Sequence, residues 1–315
     1  MAILIVMCGL QSSGKSTKAK ELAESFDKDQ KVVILSSDKV REDYPGISND
    51  KVFAKLYADM NYWLRFGDTV IIDATNITIK ARRQIFQNLK EDCFKMCYIM
   101  NTPYEECLER LRKRNNSDYP NKIPEEVLKR YLYSFEIPFY EEGWDNIKLD
   151  RVPEQKDSFD YLTDLLKKSN GFNQNNKHHT QDLLTHMTNV SYYLKDRVTD
   201  NLPLVVAGQY HDIGKLFTQF YKEGDPNAHY YNHENVGTYR LMCNACLAWN
   251  DNYLDSSPLI EENLKILFYI NYHMLMNNIK TDKSIKKWQG IFKDKFDDLK
   301  LFNEADKYRK ETVNI

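Results

Sequence analysis

Histidine is missing from the first 177 residues of this chain; all seven histidines lie between His178 and His273. Imidazole is the commonest side-chain ligand for divalent transition metals, so a histidine-based metal centre is expected only in the second half. Cysteine is sparse: Cys8, Cys93, Cys97, Cys107, Cys243 and Cys246 are too few and too scattered for a disulfide framework. Reduced thiols and a cytoplasmic setting are the expectation. No run approaches 18 apolar residues, which predicts no membrane span. The start MAILIVMCGLQ lacks a basic leader and a small-residue cleavage site, and reads as a buried strand, not a signal peptide. An excess of either charge is also lacking. At a formal net charge of -2 no global positive field advertises nucleic acid, so any such binding needs a local patch.

Several motifs are absent or incomplete. There is no internal repeat, no DxDGT phosphatase motif and no KxDG ligase motif. His178-His179-Thr180 is one HxT without a second copy, and Cys243 and Cys246 form a single CxxC expected to be buried core cysteines. If this chain removes a phosphate, the histidine-containing half must do it; if strands are rejoined, a separate ligase seals them.

What is present describes a globular protein of about two domains. Short apolar runs at 3–7, 32–35, 70–72 and 96–100, with a further one at 147–152, alternate with helical stretches such as 15–26, 50–66, 79–89 and 104–114. That pattern predicts a parallel sheet flanked by helices. A last helix is expected near 157–166, followed by the polar stretch SNGFNQNNKHH as the best boundary. Beyond Asp182 almost no strand signal appears, and helices are expected at 182–194, 204–211, 231–248, 260–276 and 297–310. The expected fold class is therefore α/β plus all-α. The expected domains are 1–155, a linker region at 156–177, and 178–315.

Gly9, Gly14, Lys15 and Ser16 fit GxxxxGK[ST] between an apolar strand and a helix, the context in which that spacing is a phosphate loop. Backbone amides of the run, which includes Ser13 and Thr17, would turn onto the phosphates of ATP or another NTP. Lys15 would reach the β/γ-phosphates and Ser16 a Mg²⁺ ion. After the second strand, SSDKVRE places Asp38 and Arg41 at the carboxyl end of the sheet, where ligands bind. A carboxylate there can take a proton from an attacking hydroxyl, and an arginine can grip an acceptor phosphate. Asp73 and Asn76, from IIDATN, are expected at the same rim as substrate-binding residues. Arg110, Arg112, Lys113 and Arg114 crowd one helix end; they are read either as a cationic lid or as a solvated face.

In the second half, His211 and Asp212 end an apolar helix that Gly214 is expected to terminate. Together with His186, His233, His273 and Asp306 they could ligate Mn, Co, Ni, Zn or Fe in mixed N/O coordination. Lys215 is expected to meet a substrate phosphate. His178, His179 and His229 are read as loop residues or as lining the site.

The set GLQSSGKS, SSDKVRE, DATN and KRN followed by IPEEVLKRY resembles the kinase domain of bacteriophage-type polynucleotide kinases over roughly residues 1–150. The resemblance implies that Asp38 is the general base for a 5′-hydroxyl, Arg41 grips the acceptor 3′-phosphate, and Arg114 is a lid arginine on the donor. Where that family has a second lid arginine, this chain has Asp118, with Lys122 the nearest later cation; Arg110 or Arg112 is the candidate substitute. The HDIGK run resembles the HD phosphohydrolase superfamily, over roughly 178–310. By that resemblance His186, His211, Asp212 and Asp306 hold a metal, and His233 and His273 match members that bind two. The combination resembles bacterial end-healing enzymes with the domain order reversed. It implies a bifunctional enzyme acting on RNA (tRNA included) or DNA ends: a 5′-hydroxyl kinase and a 2′,3′-cyclic phosphodiesterase and phosphatase. Two alternatives stand beside it: a small-molecule or nucleoside kinase fused to an HD nucleotidase, and a nucleotide-gated binding module on a metal-stabilised helical scaffold.

Overall fold

The computed structural model describes residues 1–117, 122–175, 181–247 and 256–308. The chain divides into two compact units, Met1–Arg151 and Val152–Ile315.

In the first unit β1 (Ile3–Cys8), β2 (Val32–Ser36), β3 (Thr69–Asp73), β4 (Phe94–Ile99) and β5 (Asn146–Leu149) form one parallel sheet in the order β2-β3-β1-β4-β5. β1 lies at its centre, and Leu4, Ile5, Val6 and Met7 are at most 2% exposed. A strand buried on both faces reads as a continuous apolar run, which is what 3–7 showed. The connecting helices are α1 (Lys15–Glu24), α2 (Ser37–Asp43), α3 (Asn49–Leu64), α4 (Ile79–Asn88), α5 (Tyr104–Asn115) and α6 (Glu125–Leu132). Two of these starts have explicit caps. Ser36 accepts from the Lys39 amide at α2, and Thr78 from the Ala81 amide at α4. The sequence expectation had omitted α2 and α6.

A buried arginine organises one end of the first unit. Arg82 on α4 and Glu142 are both fully buried and joined by two hydrogen bonds, Nε–Oε2 2.7 Å and Nη2–Oε1 2.6 Å. The guanidinium also donates to the carbonyls of Asn76, Glu136 and Ile137. A buried charge this fully satisfied is tolerable; with one partner removed it is not.

The second unit consists of α7 (Gln155–Ser169), α8 (Leu183–Lys195), α9 (Leu202–Tyr210), α10 (Lys215–Thr218), α11 (His233–Asn244), α12 (Ser256–Tyr272), α13 (Leu275–Asn278), α14 (Asp282–Phe292) and α15 (Lys295–Lys307). Its hydrophobic stripes explain the packing. Leu183, His186, Met187, Val190 and Leu194 of α8 fall on one helical face, so His186 sits on the stripe that goes inward. Phe296, Leu299, Phe302 and Ala305 do the same for α15. One element departs from the all-helical expectation: β6 (Phe220–Tyr221) and β7 (Ala228–His229) pair antiparallel. Two-residue strands are too short to announce themselves by alternation. Residues 156–177, read from the sequence as a linker region, include most of α7, which packs on α8 and α11. Among the described residues no helix is long and apolar enough to cross a membrane.

Candidate functional site

The carboxyl ends of β1, β2 and β3 open into a cleft of about 1460 Å³ within the first unit. Gly14, at φ +96°, turns the chain from β1 into α1, a conformation that costs glycine little. Gly9 lies beneath the loop; a Cβ there would come within 2.8 Å of the Met100 Cβ. Ser13, Gly14, Lys15, Ser16 and Thr17 all line the cleft. The Lys15 ammonium folds back onto the loop, donating to the carbonyls of Leu10 (2.6 Å) and Gly9 (3.1 Å). Burial pushes its pKa down, and Asp73 only partly offsets this. The side-chain oxygens of Gln11, Ser12 and Ser13 are buried with no hydrogen-bond partner in the protein. Buried polar atoms are normally satisfied, so a loop carrying three such atoms is shaped for a polar ligand.

Asp73 also lines the cleft, but it faces the loop rather than the acceptor side: Ser16 Oγ donates to its Oδ2 at 2.6 Å. A hydroxyl beside a carboxylate is a hard oxygen pair that suits Mg²⁺. At the far side Arg41 donates to Asp38 (3.2 Å), to the Ser37 carbonyl and to Asn49 Oδ1 (2.8 Å). Asp38 and Arg41 are 67% and 41% exposed.

Of the helix-end cations, Arg110 and Arg114 line the cleft. Arg110 pairs with Glu106. Arg112 does not line it: it makes a bidentate pair with Glu125 (2.7 and 2.8 Å) on the exposed side. Asp118 lies outside the described residues. Asn76 corrects an expectation. It is 4% exposed, its amide donates to the Met7 carbonyl at 2.9 Å, and its carbonyl receives Arg82. It ties the turn after β3 to β1 instead of reaching substrate. Sequence reading missed Asn49, Phe53, Tyr131 and Arg151 in the cleft wall. Arg151 follows β5, so the strand-end rule applied to Asp38 would have found it.

In the second unit five separate elements deliver one cluster. His186 comes from α8, His211-Asp212 from the end of α9, His233 from the start of α11, His273 from just beyond α12, and Asp306 from α15. Ligand atoms of His186, His211, Asp212 and Asp306 lie within 4.8 Å of one another, as do those of Asp212, His233 and His273. Asp212 belongs to both groups. Its Oδ2 lies 3.4 Å from the Nε2 atoms of His186 and His211, and its Oδ1 2.9 Å from His233 Nε2.

Three imidazoles are oriented identically. The Nδ1 of His211, His233 and His273 lies 2.9, 2.9 and 2.7 Å from the carbonyl three residues earlier, of Gly208, Tyr230 and Ile270. A carbonyl can only accept, so each Nδ1 carries a proton and each ring turns its Nε2 inward. His233 Nε2 and His273 Nε2 face each other at 3.3 Å, and His211 Nε2, fully buried, has no hydrogen-bond partner in the protein. Burial pulls the His211 pKa down, but the Asp212 and Asp306 carboxylates outweigh it and hold it at about 10. Burial, with His211 and His233 beside it, drives His273 down to about 3. Burial raises both carboxyl groups, but for Asp212 the Lys215 ammonium and the imidazoles, and for Asp306 the imidazoles, hold them well below the usual range. The site wants positive charge at some nitrogens and refuses it at others. A divalent cation with N/O ligands matches that donor set.

Two expectations about this region are corrected. Lys215 does not face out toward a substrate phosphate. It is 5% exposed, and its ammonium donates to Asp212 Oδ2 (2.6 Å) and Gln174 Oε1 (2.8 Å). Gly214 does not end a helix by left-handed backbone: it has φ -62° and ψ -20°. It is required because the His233 carbonyl packs where a Cβ would stand, 1.9 Å away. His229 is a hairpin residue held by Asp225 (2.9 Å), and His178 and His179 lie outside the described residues. Cys243 and Cys246 are buried thiols, like the other four cysteines.

Residues 4–138 match the family model described as an AAA domain. The chain is 29% identical over 176 residues to L-seryl-tRNA(Sec) kinase of Methanococcus maripaludis, covering 52% of this chain and 65% of that protein, just under two thirds of its length. It is 26% identical over 215 residues to the protein KTI12 homolog of Danio rerio, covering 64% of this chain and 74% of that protein. A chain in the structure of the Pnkp1/Rnl/Hen1 RNA repair complex aligns with a TM-score of 0.38 at 24% identity, over 41% of this chain and 42% of that one. Over its N-terminal part, the chain is a P-loop domain of kinase type.

Proposed function

We propose that this chain heals nucleic-acid ends, RNA first among them, with a P-loop 5′-hydroxyl kinase in its first unit and an HD-type phosphohydrolase in its second. The observation that carries the reading is the buried cluster in which the Nε2 atoms of three fixed imidazoles and two carboxylates converge on shared space. Asp212 Oδ1, His233 Nε2 and His273 Nε2 lie 2.9 to 3.8 Å from one another, a spacing that a shared cation would bridge. Two such groups sharing the Asp212 carboxylate support one or two divalent ions (Mn, Co, Ni, Zn or Fe).

In the kinase half, Lys15 and the loop amides would hold the NTP phosphates, and Ser16 with Asp73 would hold Mg²⁺, which offsets phosphate charge when bound. The acceptor hydroxyl attacks the γ-phosphorus. Its O–P bond forms as the β–γ bridging bond breaks, the nucleoside diphosphate leaves, and Asp38 takes the hydroxyl proton. Arg41, steadied by Asn49, grips a phosphate of the acceptor; Arg114 and Arg110 stabilise charge on the transferring group. A cleft of about 1460 Å³ exceeds the roughly 300–1,000 Å³ typical of small-ligand sites, which favours a donor nucleotide together with a polymer end. The archaeal relative named for a seryl-tRNA substrate supports an RNA-borne acceptor.

In the helical half, a bound divalent ion supplies Lewis acidity toward a phosphoryl oxygen and activation of water. His186, His211, Asp212 and Asp306 would hold one ion, and Asp212, His233 and His273 a second. Lys215 and Gln174 keep the Asp212 carboxylate turned into the cluster. Water adds to the phosphorus of a 2′,3′-cyclic phosphate, one ring ester oxygen departs with a proton, and a second hydrolysis releases inorganic phosphate. A separate ligase would then seal the ends, and six buried thiols support a cytoplasmic setting.

The test is an oligonucleotide bearing a 2′,3′-cyclic phosphate and a 5′-OH, incubated with ATP, Mg²⁺ and Mn²⁺, with both ends analysed. Lys15→Ala is expected to abolish the 5′ reaction alone, and His211→Ala the 3′ reaction alone. Loss of both from either substitution, or neither reaction in the unaltered protein, would sink the reading.

A further inference from the structure

The hairpin beside the imidazole cluster carries side chains unlike those of an ordinary solvent-facing turn. Among the exposed large hydrophobic side chains of the described residues, four fall between 217 and 231: Phe217, Phe220, Tyr221 and Tyr231. Three rings there make one surface. Phe220, His229 and Tyr231 stand 5.5 Å from one another, centroid to centroid, and His229 and Tyr231 stack at 29°. They do not simply cover one another, since Phe220 and Tyr231 remain 39% and 53% exposed. The surface is braced. Asp225 holds His229 Nε2 at 2.9 Å, and Asn175 donates to the Tyr221 hydroxyl at 2.6 Å. Cations are interleaved with the rings. Lys222 lies over Tyr231 at 5.3 Å, and the Arg240 guanidinium over Phe217 at 4.2 Å.

A chain of hydrogen bonds links this surface to the cluster. Tyr230, between His229 and Tyr231, accepts the His233 Nδ1 proton at its carbonyl and donates its hydroxyl to the Gln174 carbonyl. Gln174 in turn receives Lys215, which holds Asp212. At the other end of the hairpin, α10 runs from Lys215 to Thr218, directly before Phe220.

We propose that Phe220, His229 and Tyr231 form a stacking platform for the bases of a single-stranded nucleic-acid end whose terminal phosphate enters the imidazole cluster. This rests on the phosphohydrolase reading above and narrows its substrate. Every base offers a π-face, so stacking is sequence-tolerant, and it needs only local cations in a chain of net charge -2. A mononucleotide would occupy one ring. Three contiguous rings fit a strand, and paired bases inside a duplex do not expose their faces.

The experiment uses the full chain with Mn²⁺ and two substrates: a single-stranded RNA oligonucleotide carrying 5′- and 3′-phosphates, and p-nitrophenyl phosphate, which has no base. The double substitution Phe220→Ala, Tyr231→Ala is expected to raise KM for the oligonucleotide roughly five- to a hundredfold, with aryl phosphate kinetics unchanged. Tyr231→Trp is expected to keep or tighten binding. Fluorescence anisotropy of the labelled oligonucleotide with metal-free protein should weaken by a similar factor. Equal losses on both substrates, or undiminished oligonucleotide binding as a protein-docking surface would give, overturn the platform. If the unaltered protein hydrolyses neither substrate but the anisotropy still falls in the double variant, the platform stands and the phosphohydrolase reading fails.

Discussion

The two candidate sites use solvent in opposite ways. In the first, the acceptor-side pair Asp38 and Arg41 is 67% and 41% exposed, and the groups rest on each other. Even the loop lysine is parked on carbonyls of its own turn. In the second, His211 is fully buried and Asp212 is 3% exposed, with His211, His233 and His273 each aimed by a local hydrogen bond. On the proposed reading, a nucleotide and a strand end would come and go, which suits an open groove whose charges can change partners. A resident cation would stay, which suits ligands that are dry and aimed in advance.

The largest expected effect that sharpens this contrast lies away from either site. Arg82→Ala leaves the Glu142 carboxylate buried without its counter-charge, and should cost the first unit about 3–5 kcal/mol. Denaturant unfolding would read this, and Mn²⁺ binding by the second unit should survive. A change under about 1 kcal/mol would mean that the pair is not buried in solution. Next comes Gly214→Ala, whose added Cβ meets the His233 carbonyl and must move α11. We expect roughly 1–3 kcal/mol of destabilisation and weaker metal uptake by titration calorimetry, with 5′ phosphorylation intact. Lys215→Met removes the ammonium that steadies Asp212 while keeping the stem. It should weaken metal affinity about 10- to 100-fold, whereas loss only of substrate affinity would return Lys215 to a phosphate-binding role.

The smallest effect is a pH dependence. Hydrogen bonds from the Asn227 backbone and side chain, and then from His229, hold the Asp225 carboxyl down to about 2. A depressed carboxyl contributes stability that is present above its ordinary value and lost as pH falls through its folded value. The hairpin should therefore keep its His229 ring-current shifts in proton NMR below pH 4 and lose them only as the pH nears 2. Loss already at pH 4–5 would show that Asp225 does not brace it.

Much of this was legible from residue order, for reasons that differ between the units. The sheet was readable because central parallel strands are apolar on both faces, and the P-loop because its glycines are demanded by backbone geometry. The six metal-ligand candidates of the second half lie together, and histidines on a buried helical stripe, such as His186 on α8, have few structural reasons to be there. What stayed hidden depended on contacts across long stretches of chain. Nothing near Asn76 announced that its amide would bond Met7, 69 residues earlier. Arg112 and Arg110 are indistinguishable until Glu125 claims one of them. Gly214 was assigned the wrong duty because a close backbone approach leaves no local mark.

The three imidazoles share one further property. Each is anchored to its own short segment, by the carbonyl of Gly208, Tyr230 or Ile270, and not by a neighbouring helix. None of these three would need to swivel for an ion to bind, and none would be released if one left. Stripping the ion with a chelator should thus leave the cage standing, with reloading limited by how fast an ion gets in rather than by refolding.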